Sequence, residues 1–299
     1  MRYGFFLSER NVDDPIGDLR DQIAGAARDG FTSAWLSNIF GLDALTALAA
    51  AGCQVPGIEL GTAVVPTYPR HPAALAQQAM TVNAALGGRL ALGIGLSHKV
   101  VIEDMYGYSF DRPGRHMKEY LDILIPASRG EQVRYEGETL KADIRLGTPG
   151  AGFPVLVAAL GPRMLRLAGT VADGTVLWMT GPKTIAEHIA PTIKAAAAEA
   201  GREPPRIVCA LPVCVTDDPA AAVARANEIF ETYGRLPSYR AMLDREGAAT
   251  PGEVAIVGDE DTVLARLDEL KQAGVTDFVG SAYSGRERTL NLLIGAAKG

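Results

Sequence analysis

Eight times along the 299-residue chain a short apolar run gives way to a stretch with helical spacing, and this alternation limits the fold more than any other feature. Continuous apolar runs mark strands buried on both faces. Runs separated by helices mark parallel pairing, because a parallel connection needs a crossover long enough to hold a helix. The runs are Tyr3–Leu7, Ser33–Ser37, Ile58–Val65, Arg89–Leu96, Pro154–Leu160, Gly174–Met179, Arg206–Val215 and Asp277–Tyr283. Between them the spacing predicts helices from Asp13-Asp14-Pro15 onward, over Leu42–Cys53, Pro72–Leu86, from Pro162, over Pro182–Ala200 with a kink or break at Pro191, over Pro219–Tyr233 and Asp261–Ala273, and at the end over Arg286–Ala297. Eight such units read as an α/β chain folded into one (β/α)₈ TIM barrel, which commonly occupies about 250 residues as a single domain. A doubly wound open sheet carries the same alternation.

Two stretches fall outside the repeat. Residues 99–153 mix charges, glycines and short apolar pieces, and read as an excursion after strand four with a helix at Pro113–Ala127 and a small hairpin at Val133–Leu140. The polar connection Arg235–Glu253 reads with its flanks, 233–256, as an insertion after strand seven; its aromatics and arginines from Tyr233 to Met242 suggest a substrate-side lid.

Charge and cysteine usage narrow the partners. The formal charge is −6 with the basic residues scattered, so no footprint for nucleic acid or anionic lipid is visible. The first apolar stretch is too short for a signal segment and nothing approaches the ~20 apolar residues that span a bilayer, which points to a cytoplasmic protein. Cys53, Cys209 and Cys214 form no C-x-x-C pair and no metal spacing with histidine; they read as buried small hydrophobes in a reducing compartment.

In a TIM barrel the chemistry lies just past the strand ends. There the chain carries Asn38, Gly61–His71, Gly93-Ile-Gly-Leu-Ser-His98, Leu160-Gly-Pro162 and Thr180-Gly-Pro182. Each Gly-Pro turn leads from a strand into a helix start, which can aim free N–H groups at a phosphate, although plain turn chemistry explains it as well. Gly93 and Gly95 lack the third glycine and the acidic residue of a dinucleotide fingerprint, and could instead let a flat ring approach the backbone. Trp35, Phe5, Phe6 and Trp178 are either flanks for such a ring or core.

In combination Gly61-Thr-Ala-Val, Arg70-His71-Pro72, Gly88-Arg89, Leu92-Gly-Ile-Gly95, the Gly-Pro turn after strand five and Ala172-Asp173-Gly174 resemble the luciferase-like monooxygenase superfamily, in particular its F420-dependent oxidoreductases. The resemblance implies a barrel, often dimeric, that rests the deazaflavin F420 on a bulge made by a non-prolyl cis peptide, here Ala63-Val64. It implies a cofactor lining of Asn38, Gly95, Leu96, Ser97, Ala158, Ala159, Gly161, Thr180 and Gly181, and hydride transfer to or from a small organic substrate. The chain departs from the sugar-phosphate dehydrogenase relatives at two places. Their aspartate-histidine pair after strand two is Asn38-Ile39 here, and isoleucine moves no proton; their glutamate after strand four is His98, an imidazole suited to proton transfer near neutral pH. His98 is therefore the candidate acid or base, the alternative being a loop cap or cofactor contact. His71 reads as structural at a helix opening, His116 with Arg112 and Arg115 as a solvated face, and His188 as surface. Two rival functions remain: an FMN-dependent two-component monooxygenase, and a cofactor-binding protein without turnover.

Overall fold

Four aspartates start helices of the α/β repeat. Asp14, Asp43, Asp218 and Asp259 each accept the backbone N–H of the residue three positions on, which satisfies one of the donors a helix start leaves open. In the computed structural model, which describes residues 1–147 and 152–299, these caps open α1 (Pro15–Arg28), α2 (Ala44–Gly52), the helix Pro219–Arg235 and the helix Glu260–Gln272. His71 performs the same task for α3 (Pro72–Ala85), as its place before Pro72 predicts.

The eight barrel strands are β1 (Arg2–Phe6), β2 (Ser33–Leu36), β3 (Glu59–Thr62), β4 (Leu90–Gly95), β5 (Val155–Val157), β6 (Gly174–Trp178), β7 (Arg206–Val215) and β8 (Asp277–Ala282). Each is parallel to its neighbour in chain order, and β8 pairs with β1, so the sheet closes and the open-sheet alternative is removed. Alternate residues point in: Trp35, Ala91, Leu156, Val176, Val208, Ala210 and Val279 fill the interior, while the larger apolar core lies between strands and helices. Trp35 is fully buried and lies where a Cβ on Gly61 would fall 2.2 Å from its ring, so it is core rather than a cofactor flank.

Arg206 plugs the N-terminal end. Its guanidinium makes two hydrogen bonds to Glu59 at 2.7 and 3.2 Å and one to Asp277 at 2.9 Å, and stands 5.9 Å over the Trp35 ring. Asp277, 1% exposed, also holds Arg2 at 2.5 Å.

Several sequence expectations need correction. The expected strand Ile58–Val65 breaks after Thr62 and resumes as Val65–Pro66. The kink or break expected at Pro191 in the helix Pro182–Ala200 is present as a π-turn at Ile185–Ile189, because Pro191 has no N–H to give the preceding turn. In the excursion the helix is α4 (Pro113–Ser128), but the hairpin pairs Val133–Glu136 with Lys141–Ile144, so residues 137–140 are turn. The cause is Glu119: its buried carboxylate accepts from the N–H groups of Glu138, Thr139 and Leu140 and from Thr139 Oγ1. The excursion's last residues, 148–151, lie outside the described residues. Cys53 is exposed, whereas Cys209 and Cys214 are buried as expected. His116 is buried rather than solvated: its ring stacks on Tyr68 at 4.0 Å, Nε2 meets Thr67 Oγ1 at 3.0 Å, and burial pushes its pKa down to about 4. The neighbouring Arg112 and Arg115 turn away to Glu138. His188 is buried too, with Nε2 at 2.8 Å from the Leu160 carbonyl. No described helix is long and apolar enough to cross a membrane.

Two predictions follow from these polar clusters. Arg206→Ala leaves Glu59 without its guanidinium and removes one of three side-chain partners, beside Arg2 and the Thr276 hydroxyl, from buried Asp277; we expect a loss of about 3 kcal/mol in chemical denaturation, with Arg206→Lys recovering only part of it. For Glu119, burial alone would raise the pKa, but the hydrogen bonds from Thr139, Glu138 and Leu140 prevail and hold it down at about 2. A carboxylate lowered on folding contributes stability above its ordinary pKa of 4.5 and loses it as the pH falls toward 2. Glu119→Gln is therefore expected to be less stable than wild type at pH 7, and the gap between their unfolding free energies should narrow at pH 3.

Candidate active site

At the C-terminal mouth of the barrel the break in β3 is bridged by one hydroxyl. Buried Thr62 Oγ1 donates to the Gly93 carbonyl at 2.8 Å and accepts the Gly93 N–H at 2.9 Å. The peptide Ala63-Val64 is cis, and the resumed piece pairs Val65 with Ile94 and Pro66 with Gly95. Glycine is required on the facing strand. A Cβ on Gly93 would fall 2.0 Å from the Thr62 carbonyl oxygen, and one on Gly95 would fall 2.6 Å from Val64 Cγ2 and 3.2 Å from Ala158 Cβ. Ala63, Val64, Gly95 and Ala158 thus converge on a patch of bare backbone and small side chains.

Beyond Gly95 the chain turns through Ser97, whose φ of 62° is the left-handed conformation that non-glycine residues rarely adopt and that recurs at functional sites. That turn delivers His98. Its carbonyl accepts from Val101 and Ile102, opening a π-turn at Val100–Met105, so the residue is anchored by its backbone. Its half-buried imidazole lies 5.8 Å from the Tyr239 ring, and burial holds its pKa below the ordinary 6.5. The neutral ring, a proton acceptor, therefore predominates at pH 7.

The two Gly-Pro turns, alike in sequence, differ in the structure. After β5, Ala159 is buried and Gly161 starts α5 (Pro162–Val171) with no side-chain cap, which leaves the first-turn N–H groups of Arg163 and Met164 without one. After β6 the chain passes through Met179, also left-handed at φ 51°, then fully buried Thr180, whose Oγ1 donates to the Trp178 carbonyl at 3.1 Å, to Gly181. Here the helix start is filled. Glu246 accepts the N–H of Lys183 at 3.2 Å and of Thr184 at 2.7 Å.

Glu246 belongs to the insertion after β7, which is helical: Pro219–Arg235 runs on into Pro237–Glu246. Rings link it to both sides of the mouth. Phe6 lies 5.8 Å from Trp178, Trp178 6.0 Å from Tyr233, Tyr233 4.9 Å from Tyr239, and Tyr239 meets His98. On the opposite rim Asn38 Oδ1 accepts from Ala44 N–H at 2.9 Å, tying the loop after β2 to the start of α2, while Ile39 and Phe40 face solvent. Sequence reasoning found the insertion and its aromatics but missed Glu246, since nothing in a lone glutamate marks a cap 62 residues away in the chain.

Three known proteins frame this geometry. A 5,10-methylenetetrahydromethanopterin reductase of Methanolobus tindarius is 27% identical over 94% of this chain and 95% of its own length. An F420-dependent secondary alcohol dehydrogenase, solved with an F420-acetone adduct, superposes with a TM-score of 0.80 at 18% identity, covering 99% of this chain and 97% of that one. The oxygenating constituent of a 3,6-diketocamphane monooxygenase from Pseudomonas putida, solved with FMN, superposes at 0.75 with 19% identity over 98% of this chain and 96% of that one. These two structures share the fold. The model of the luciferase-like monooxygenases matches residues 1–277, and the chain belongs to that family.

Proposed function

We propose that the chain is an oxidoreductase that holds the deazaflavin F420 over the broken strand and exchanges a hydride between its ring and a small organic substrate. The observation that carries this reading is the broken strand at Ala63-Val64, packed so closely on Gly93 and Gly95 that only glycine fits there, set beside a helix start at Gly161 that lacks a side-chain cap. A flat ring calls for the first and a phosphate for the second. On this reading Ala63, Val64, Gly95, Leu96, Ser97 and Ala158 would support the ring, Asn38 would flank it, Ala159 and Gly161 would take the phosphate end, and Thr180 and Gly181 would close the wall from behind Glu246. The reductase and dehydrogenase likenesses support F420. FMN with molecular oxygen is the second reading, which the FMN-bound fold neighbour supports.

When bound, F420 supplies a ring carbon that takes up or releases hydride. The protein's own part is positioning, exclusion of water and movement of a proton. Trp178, Tyr233 and Tyr239 cover the mouth with apolar surface. Neutral His98 accepts, at a ring nitrogen, the proton that a substrate hydroxyl loses on oxidation. The homodimer expected of the family completes the proposal.

Equilibrium titration of the purified protein with F420 and with FMN tests the cofactor; tighter binding of FMN overturns our reading. Gly95→Ala should weaken F420 binding about tenfold while the circular dichroism spectrum is kept, because the new methyl presses on Val64 and Ala158 beside the broken strand. In the direction of substrate oxidation, kcat/KM should rise with pH through an apparent pKa below 6.5. His98→Gln should lose that limb and about 100-fold in kcat with unchanged F420 affinity; a pH profile unaltered in the variant removes His98 from the chemistry.

A further inference from the structure

The helix that begins at Gly181 has no side chain of its own to cap it, and the group that does so comes from the far end of the insertion. Glu246 is the last residue of the helix Pro237–Glu246, and glycine at 181 is what admits it: a Cβ there would fall 2.3 Å from the Glu246 carboxyl carbon. A carboxylate on two N–H groups at a helix start is a charge-assisted contact favoured by the helix dipole. A second bond lies beside it, from Thr184 Oγ1 to the Met242 carbonyl at 3.3 Å. Along Pro237–Glu246, positions 239, 242, 243 and 246 fall at spacings of three, four and seven and share one helical face. That face looks into the mouth, since Tyr239 meets His98 and Leu243 packs with Met179. The other polar bonds of this helix stay within the insertion, such as those from Arg240 to the Ala248 and Ala249 carbonyls.

We propose that Glu246 is a positioning residue for this site: its carboxylate is a resident anion that latches the helix Pro237–Glu246 to the turn after β6, holds Tyr239 against His98, and closes that helix start to an acidic group on the substrate. The inference rests on reading the barrel mouth as the active site, and it names what that site excludes. An anionic substrate would have to displace Glu246 to reach the Lys183 and Thr184 N–H groups, whereas an uncharged one meets the rings of Trp178, Tyr233 and Tyr239 with the latch in place.

The test removes the carboxylate and gives it back. Glu246→Ala lacks the fragment that acetate resembles, so acetate should reoccupy the vacated end. We expect hydrogen exchange in residues 182–189 and 237–246, and carbethoxylation of His98 read by mass spectrometry, to run about tenfold faster in the variant than in wild type. Acetate, but not chloride at equal ionic strength, should return both toward the wild-type rates and leave wild type unaltered. Wild-type exchange and His98 reactivity in Glu246→Ala, or equal effects of acetate and chloride, overturn the latch. Should that variant not fold, Glu246→Gln keeps the shape without the charge; it should show the same acceleration to a smaller extent, and wild-type rates in it are equally decisive. Neither readout involves F420 or turnover, so the latch and the cofactor reading stand or fall separately.

Discussion

The whole arrangement depends on closure of the sheet through β7. This ten-residue strand pairs Arg206–Ala210 with β6 on one side and Val208–Val213 with β8 on the other, and at its upper end takes on the short strand Ile256–Gly258. Parallel pairing this long brings the loops after β4, β6 and β7 to one end, where His98, Trp178 and the helical insertion meet. Arg206 opens the same strand and ties it across the barrel floor to β3, whose far end carries the break at Ala63-Val64. One residue at the bottom thus sets the strand positions on which the top relies.

The two ends of the barrel follow different rules. At the floor, Arg2 and Arg206 pair with Glu59 and Asp277, an arrangement that contributes to rigidity although Arg206 Nε is buried without a hydrogen-bond partner. At the mouth the backbone is irregular: a broken strand, glycines forced by close approach, and Ser97 and Met179 held left-handed. Such irregularity is kept only where the surroundings fix it, and Thr62 supplies that by replacing the ladder bonds β3 gives up.

The barrel could be read from the sequence because periodicity is local: apolar runs and helix caps such as Asp14 before Pro15 need no knowledge of the fold. The close packing at the broken strand was legible for a similar reason, since Gly93 and Gly95 lie two apart on one strand. Burial of His116 was not legible. Arg112 and Arg115 just before it suggested solvent, yet they point to Glu138 while the imidazole turns inward to Tyr68. Glu246 was hidden by distance in the chain, as was Glu119, which shapes a turn some twenty residues away. In each case the deciding contact is a carboxylate or a ring whose partner is set only by the tertiary fold.

Under the proposed hydride exchange, Ile39 decides which side of the mouth could move a proton. Ile39 and Phe40 face solvent on the β2 rim, and Asn38 is tied to Ala44, so none of these three residues is a titratable group near neutrality. His98 stands on the β4 side under Tyr239. Burial there disfavours the charged imidazolium, so the ring rests neutral with a ring nitrogen free of a proton. Tyr239, 5.8 Å away on the helix Pro237–Glu246, is part of the surroundings in which His98 is half-buried.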